Sequence, residues 1–377
     1  MNHPFIPVSE PVIGELEEEL VLDCLRTGWL SSEGKYVREF ETACAAYSGM
    51  DEGVSVCNGT AALKVSVACL PLEAGDEIIM PSFTIISCAI AILEAGAVPV
   101  LVDCDPVTWT MNVADIEAQI TPKTRAIMAV HIYGHPVDMD PVLEIAEKYR
   151  LWVIEDAAES HGGEYKGRKC GGLGDIGILS FYANKMVTTG EGGMVMTSHP
   201  KFAKRARSLR NMCFREGERF SHTEIGHNYR LSNIQAAVGL GQLKQIETFV
   251  RRKREMAEIY ECKLKKLPLH LPVEKEWARN VYWMYGIVLH ESVEMDAHEF
   301  ARMLMKRGIQ TRPFFMGMHE QPVFRDMGLF KNTNCPEAER LYRKGLYLPS
   351  GQAITDRQIK QVCDAIYSIF DGIRGSW

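Results

Sequence analysis

The sequence predicts an α/β protein with a mainly parallel seven-stranded sheet covered by helices, and a smaller α+β unit at the C-terminus. Three observations predict it. Seven short, apolar, β-branched runs recur up to Thr197, stretches with helical spacing separate them, and the texture turns polar and helix-forming beyond that point. Strands that are apolar on both faces and alternate with helices belong to parallel sheets buried on both sides.

In chain order the runs are GVSVC (53–57), EIIMP (77–81), VPVLVD (98–103), RAIMAVHIY (125–133), LWVIED (151–156), IGILSF (176–181) and GGMVMT (192–197). Between them, AALKVSVACL (61–70) and MDPVLEIAEKYR (139–150) repeat their apolar residues at helical rather than alternating intervals. The polar stretch at 231–266 predicts a helix linking a large domain, residues 1–245, to a linking-helix and small-domain part, 246–377. Its RRKRE run (251–255) reads as a solvated helix face rather than a nucleic-acid patch.

Composition sets the outer limits. The 377 residues carry 42 Lys plus Arg against 49 Asp plus Glu, a net charge of −7, and 46% are hydrophobic. That is apolar enough for a large core, and no basic block concentrates positive charge for nucleic acid or an anionic membrane. Apolar runs such as AVPVLV (97–102) fall well short of the roughly 20 residues that span a bilayer. The opening MNHPFIPVSE lacks the basic-then-apolar layout of a secretory leader. Eleven cysteines are scattered singly without a CxxC pair, which predicts free thiols in a cytoplasmic protein, with neither disulfide framework nor metal site.

In open α/β sheets the ligand lies beyond the carboxyl ends of the strands. Cys57-Asn58-Gly59-Thr60 joins a strand to a helix through glycine, and the N–H groups of such a helix start, with the Thr60 hydroxyl, suit a phosphate; a plain helix cap explains the turn as well. Asp156 and Glu159 end another apolar run, where buried carboxylates need a positive partner unless Asp156 is only an N-cap. Ser180 and Lys185 follow a third, before a glycine-rich turn at 190–193; an amine desolvated there becomes a nucleophile toward carbonyls. Phosphate cradle, pyridinium partner and Schiff-base amine, in this order, are the parts that pyridoxal 5′-phosphate requires. Neither NGTAAL nor GEGGM forms a GxGxxG dinucleotide fingerprint.

CNGTAAL, IEDAAESHGG, GDIGILSFYANK, TGEGGMV and NYRLSNIQAAVGLGQL, with IPVSEP near residue 6 and LPSG at 348–351, resemble in order and spacing the DegT/DnrJ/EryC1/StrS family of nucleotide-sugar aminotransferases. The resemblance implies the fold type I aminotransferase architecture and pyridoxal 5′-phosphate as cofactor. It implies that Lys185 bonds the cofactor and shuttles the proton, and that Asp156 holds the pyridine nitrogen. Glu159 would lie near the 3′ oxygen, Gly59, Thr60 and Ser180 at the phosphate. Asn228 would reach the phosphate of a neighbouring subunit, giving a homodimer with shared sites.

The family usually has an aromatic residue on the cofactor ring where PSFTIISCA places Ile85, so either Ile85 or nearby Phe83 covers it. Lys185 instead of histidine favours transamination over dehydration, with glutamate as amino donor and a nucleotide-linked ketosugar as acceptor. Likeness in GWLSSEGKYVREFE (28–41), MAVHIYGHPVDM (128–139), VYWMYGIVL (281–289) and TRPFF (311–315) points toward amination at C4 of a GDP-linked sugar. A UDP- or dTDP-linked sugar, or amination at C3, is the alternative. Candidate substrate contacts are Trp29, Ser31 and Arg312, with Arg312 suited to a diphosphate and Trp29 or Trp283 to an apolar sugar face. A structural ion pair and core tryptophans would explain the same residues.

Overall fold

The computed structural model describes residues 5–374. Each apolar run forms a strand of one sheet: β1 (Glu52–Val56), β2 (Glu77–Pro81), β3 (Val98–Val102), β4 (Thr124–Val130), β5 (Trp152–Asp156), β6 (Ile176–Ser180) and β7 (Gly193–Thr197). Their spatial order is β1-β7-β6-β5-β4-β2-β3. All neighbours are parallel except β7, which runs antiparallel to β1 and β6. Alternating residues feed opposite faces, Ile78 and Met80 into one core layer and Ile79 into the other.

The helices that flank this sheet include α1 (Glu15–Thr27), α2 (Lys35–Ser48), α3 (Gly59–Cys69), α4 (Ser87–Glu94), α5 (Met139–Tyr149) and α6 (Pro200–Arg210). The stretch expected as one linking helix is two, α7 (Asn233–Lys244) and α8 (Ile246–Leu264), broken at Gln245. Gln242 and Gln245 both donate to the Oε1 of Glu17, at 2.7 and 2.8 Å, which ties α7 to α1. α8 passes from one core to the other, with Ile246, Phe249 and Val250 in the large one and Met256, Ala257, Tyr260 and Leu264 in the smaller.

The smaller unit is a four-stranded antiparallel sheet ordered β8 (Leu269–His270), β9 (Tyr285–Leu289), β11 (Gly345–Leu348) and β10 (Arg312–Pro313). It packs with α8, α9 (Ala297–Met305) and α11 (Asp356–Arg374), while α10 (Pro336–Lys344) adjoins its strands. Among the described residues, the N-terminal segment also packs in this unit. Ile6 is buried in its core, bridges Ile309 and donates its N–H to the Gly308 carbonyl at 2.8 Å. Among the described residues the cysteines form no disulfide, and no helix is long and apolar enough to cross a membrane.

Candidate active site

The carboxyl ends of β1, β4, β5 and β6 converge on a cavity of about 490 Å³, the position expected for a ligand in a parallel sheet. Beyond β1 the Asn58 side chain caps α3 by accepting the Ala61 N–H at 2.8 Å. Gly59 and Thr60 line the cavity at that helix start. The Thr60 hydroxyl lies 2.9 Å from that of Ser87, and Ser180 at the end of β6 closes the other side. A Cβ on Gly59 would sit 2.6 Å from the Ser180 Cβ, so glycine is what lets helix start and serine meet. Backbone N–H groups and three hydroxyls in a partly enclosed space form an anion cradle.

Asp156, 2% exposed, ends β5. Its Oδ1 accepts the Ala158 N–H at 3.0 Å and its Oδ2 the Cys88 thiol at 3.3 Å. Burial pushes its pKa up, against the pull of those two donors and of the Lys185 charge. Burial likewise raises Glu159, whose Oε2 accepts the Tyr133 N–H at 2.9 Å. Lys185 is pulled below its ordinary pKa by burial, opposed by the two carboxylates, which favours a neutral amine more than in water. Its Nζ lies 3.5 Å from Glu159 Oε1 and 3.5 Å from the centre of the Trp283 ring. The Trp283 indole donates to the Asn184 carbonyl at 2.7 Å, which fixes that ring over the amine.

Two buried carboxylates against one amine leave the cavity short of positive charge. A protonated pyridine nitrogen at Asp156 would make up the deficit, a phosphate would suit the Gly59–Thr60–Ser180 cradle, and Lys185 lines the same cavity, where a carbonyl carbon could meet it. Asn184 Oδ1, buried on the lining with no hydrogen-bond partner, is a further acceptor. The residues present fit pyridoxal 5′-phosphate.

Ile85, 39% exposed, lines the cavity, whereas Phe83 is fully buried against Tyr133, Phe314 and Phe315. Of the two residues expected to cover the ring, Ile85 is the one on the cavity wall. Trp283 also lines it. Arg312 is exposed and does not line the cavity; its backbone is paired in register with the lining residue Tyr347. Trp29, Ser31 and Asn228 are outside it. Ser31 lines a second groove with Arg207, Arg210, Asn211 and Arg230, and exposed Asn228 bridges Asn211 at that groove.

Sequence reasoning missed Cys88, Asn184, Tyr347 and Lys253. The RRKRE run is not uniformly solvated: Lys253 is 3% exposed and donates to the carbonyls of Trp283, at 2.7 Å, and of Ser350. Burial lowers its pKa to about 7. The signal was present in helical phase, since Lys253 shares a face with buried Met256, Ala257 and Tyr260.

Fold and cavity together define a pyridoxal-phosphate-dependent aminotransferase. The model of the DegT/DnrJ/EryC1/StrS aminotransferase family matches residues 11–367, and the chain belongs to that family. GDP-perosamine synthase of Escherichia coli O157:H7 is 39% identical over 366 residues, 97% of this chain and 99% of that protein. GDP-perosamine synthase of Caulobacter vibrioides is 39% identical over 365 residues, 96% of this chain and 98% of that protein. The solved structure of the aminotransferase TlmJ from Streptoalloteichus hindustanus has a TM-score of 0.91 at 30% identity, covering 98% of this chain and all of that one. The chain is thus a sugar aminotransferase of the transaminase class.

Proposed function

We propose that the chain transfers the amino group of glutamate to C4 of GDP-4-keto-6-deoxymannose, giving GDP-perosamine. The observation that carries this reading is 39% identity over nearly the full length to two proteins named GDP-perosamine synthase. Arg312, paired in register with the lining residue Tyr347, is suited to the diphosphate that all nucleotide-diphosphate sugars share.

When bound, pyridoxal phosphate supplies a reactive carbonyl and an electron sink for the carbanion. Asp156 keeps a proton on the ring nitrogen, so that the sink stays electron-poor. The Gly59–Thr60 helix start, with Ser180, anchors the phosphate. Lys185 Nζ, made less basic by burial, would take the proton from the substrate carbon that bears the nitrogen and deliver it to the cofactor carbon on the other side of that nitrogen. Glu159 sets the amine's position, and the Trp283 ring shields it from water.

We further infer a homodimer in which Trp29, Ser31 and Asn228 complete the partner's cavity. Support comes from the second groove at Ser31 and Asn211, and from apolar exposure on and after α1, where Leu25 is 55% and Trp29 58% exposed. The test of the substrate is an assay with glutamate and a panel of GDP-, UDP- and dTDP-linked 3- and 4-ketosugars, with the amine position read by NMR. The reading expects turnover of the GDP-linked 4-ketosugar and a 4-amino product. Preferential turnover of a UDP- or dTDP-linked sugar, or a 3-amino product, would overturn it.

A further inference from the structure

We propose that His270, His290 and Glu291 form a binding site for a zinc-type divalent cation on the smaller unit, separate from the cofactor cavity. The strand pairing builds it. His270 is in register with Val288, and the His290 N–H donates to the Pro268 carbonyl at 3.0 Å, so the two histidines are diagonal neighbours on one face of the β8–β9 pair. Glu291 Oε2 lies 3.5 Å from His270 Nε2 and 3.6 Å from His290 Nε2.

Those separations are long for hydrogen bonds but close to the edge of a metal tetrahedron. Ligand bonds of about 2.0–2.1 Å put neighbouring donor atoms about 3.4 Å apart and imidazole centres about 5.2 Å apart. The two imidazole centres are 5.3 Å apart, and the three donor atoms all lie within 4.8 Å of one another.

The surroundings fit a metal better than an ion pair. His270 Nε2 is shielded from solvent and has no hydrogen-bond partner. His290 Nδ1 lies 2.9 Å from the Ser292 hydroxyl and accepts the Ser292 N–H at 3.3 Å; Nε2 is a ligand in the tautomer in which Nδ1 instead donates to that hydroxyl. Arg340 holds the other carboxylate oxygen of Glu291 at 3.3 Å, turning Oε2 toward the imidazoles, while Glu337 pairs with that guanidinium.

The buried group His131, Glu155 and Cys170 is closed by contrast. There the Val137 N–H occupies Nδ1 at 3.0 Å, and the backbone N–H groups of Gly171, Leu173 and Gly174 occupy the carboxylate.

The experiment is calorimetric titration of untagged, cofactor-loaded enzyme with Zn²⁺, together with the visible spectrum of the Co²⁺-substituted protein. Wild type is expected to bind one Zn²⁺ per chain and to give a tetrahedral Co²⁺ spectrum without a thiolate band. His270→Ala and His290→Ala should each weaken binding about tenfold or more, and Glu291→Gln should weaken it as well. Aminotransferase activity in all three variants should stay at the wild-type level, which verifies that they fold. Absence of Zn²⁺ binding by wild type, or unchanged binding in both histidine variants, would overturn the proposal.

Discussion

Asp156→Asn keeps the shape of the side chain and deletes its charge. Oδ1 would still accept the Ala158 N–H at 3.0 Å, while an amide would replace the oxygen that now faces Cys88 at 3.3 Å. In the loaded enzyme this removes a charge-assisted hydrogen bond to the ring nitrogen, worth about 1.5–3 kcal/mol, or about a 10- to 150-fold loss of cofactor affinity. The cofactor-free protein should respond in the opposite sense. Burial raises the Asp156 pKa, so the native state holds more protons than the unfolded one between the two pKa values, and stability falls as pH rises through that window. Near neutral pH the buried charge is therefore a penalty that Asn lifts. The assay is titration of cofactor-free protein with pyridoxal phosphate, followed by absorbance, with thermal midpoints of both forms. Wild-type affinity in the variant, or equal destabilisation with and without cofactor, would refute the role given to Asp156.

Gly59→Ala forces a Cβ to within 2.6 Å of the Ser180 Cβ and should cost about 1–3 kcal/mol of stability. It should also narrow the preference for pyridoxal phosphate over unphosphorylated pyridoxal, and an unchanged affinity ratio would argue against the cradle. Lys253→Met tests the buried amine. With a folded pKa of about 7 against 10.5, the native state binds fewer protons in that window, so the wild type should gain about 2 kcal/mol on the variant between about pH 6 and about pH 8.5, measured by urea unfolding. The two carbonyl acceptors favour the charged form, making that figure an upper bound; no gain at all would mean that Lys253 does not titrate there. Mixing Lys185→Ala with Asn228→Ala protein should restore active sites if subunits share them, and no recovery despite demonstrated subunit exchange would contradict sharing.

Much of the fold is legible because each strand is a continuous apolar run ending at a turn. The direction of β7 is not, since Gly193–Thr197 reads alike in either orientation and only its pairing with β1 and β6 fixes it. Helical spacing continues across Gln245, so two helices read as one. Ile6 bridges Ile309, about 300 residues away, a pairing no local pattern carries. At the site, Gly59, Asp156, Ser180 and Lys185 were readable because strand ends place them. Cys88 was not, being a small apolar residue of α4 until the fold brings its thiol to Asp156. Lys253 was masked by the charges on either side of it. Trp29, Ser31 and Asn228 are outside the cavity of a single chain; the family resemblance points Asn228 to a neighbouring subunit, while nothing in the sequence assigns Trp29 or Ser31 to one chain's cavity or the other's.

The central claim is that Lys185, alone among the lysines, bonds the cofactor in a cavity short of positive charge. Borohydride reduction of pyridoxal-phosphate-loaded protein, followed by peptide mass spectrometry, tests it most directly. The account predicts the reduced pyridoxyl mass on the peptide carrying Lys185, with the visible absorbance lost on reduction. The same label on another lysine, or its persistence in Lys185→Ala protein, would contradict it.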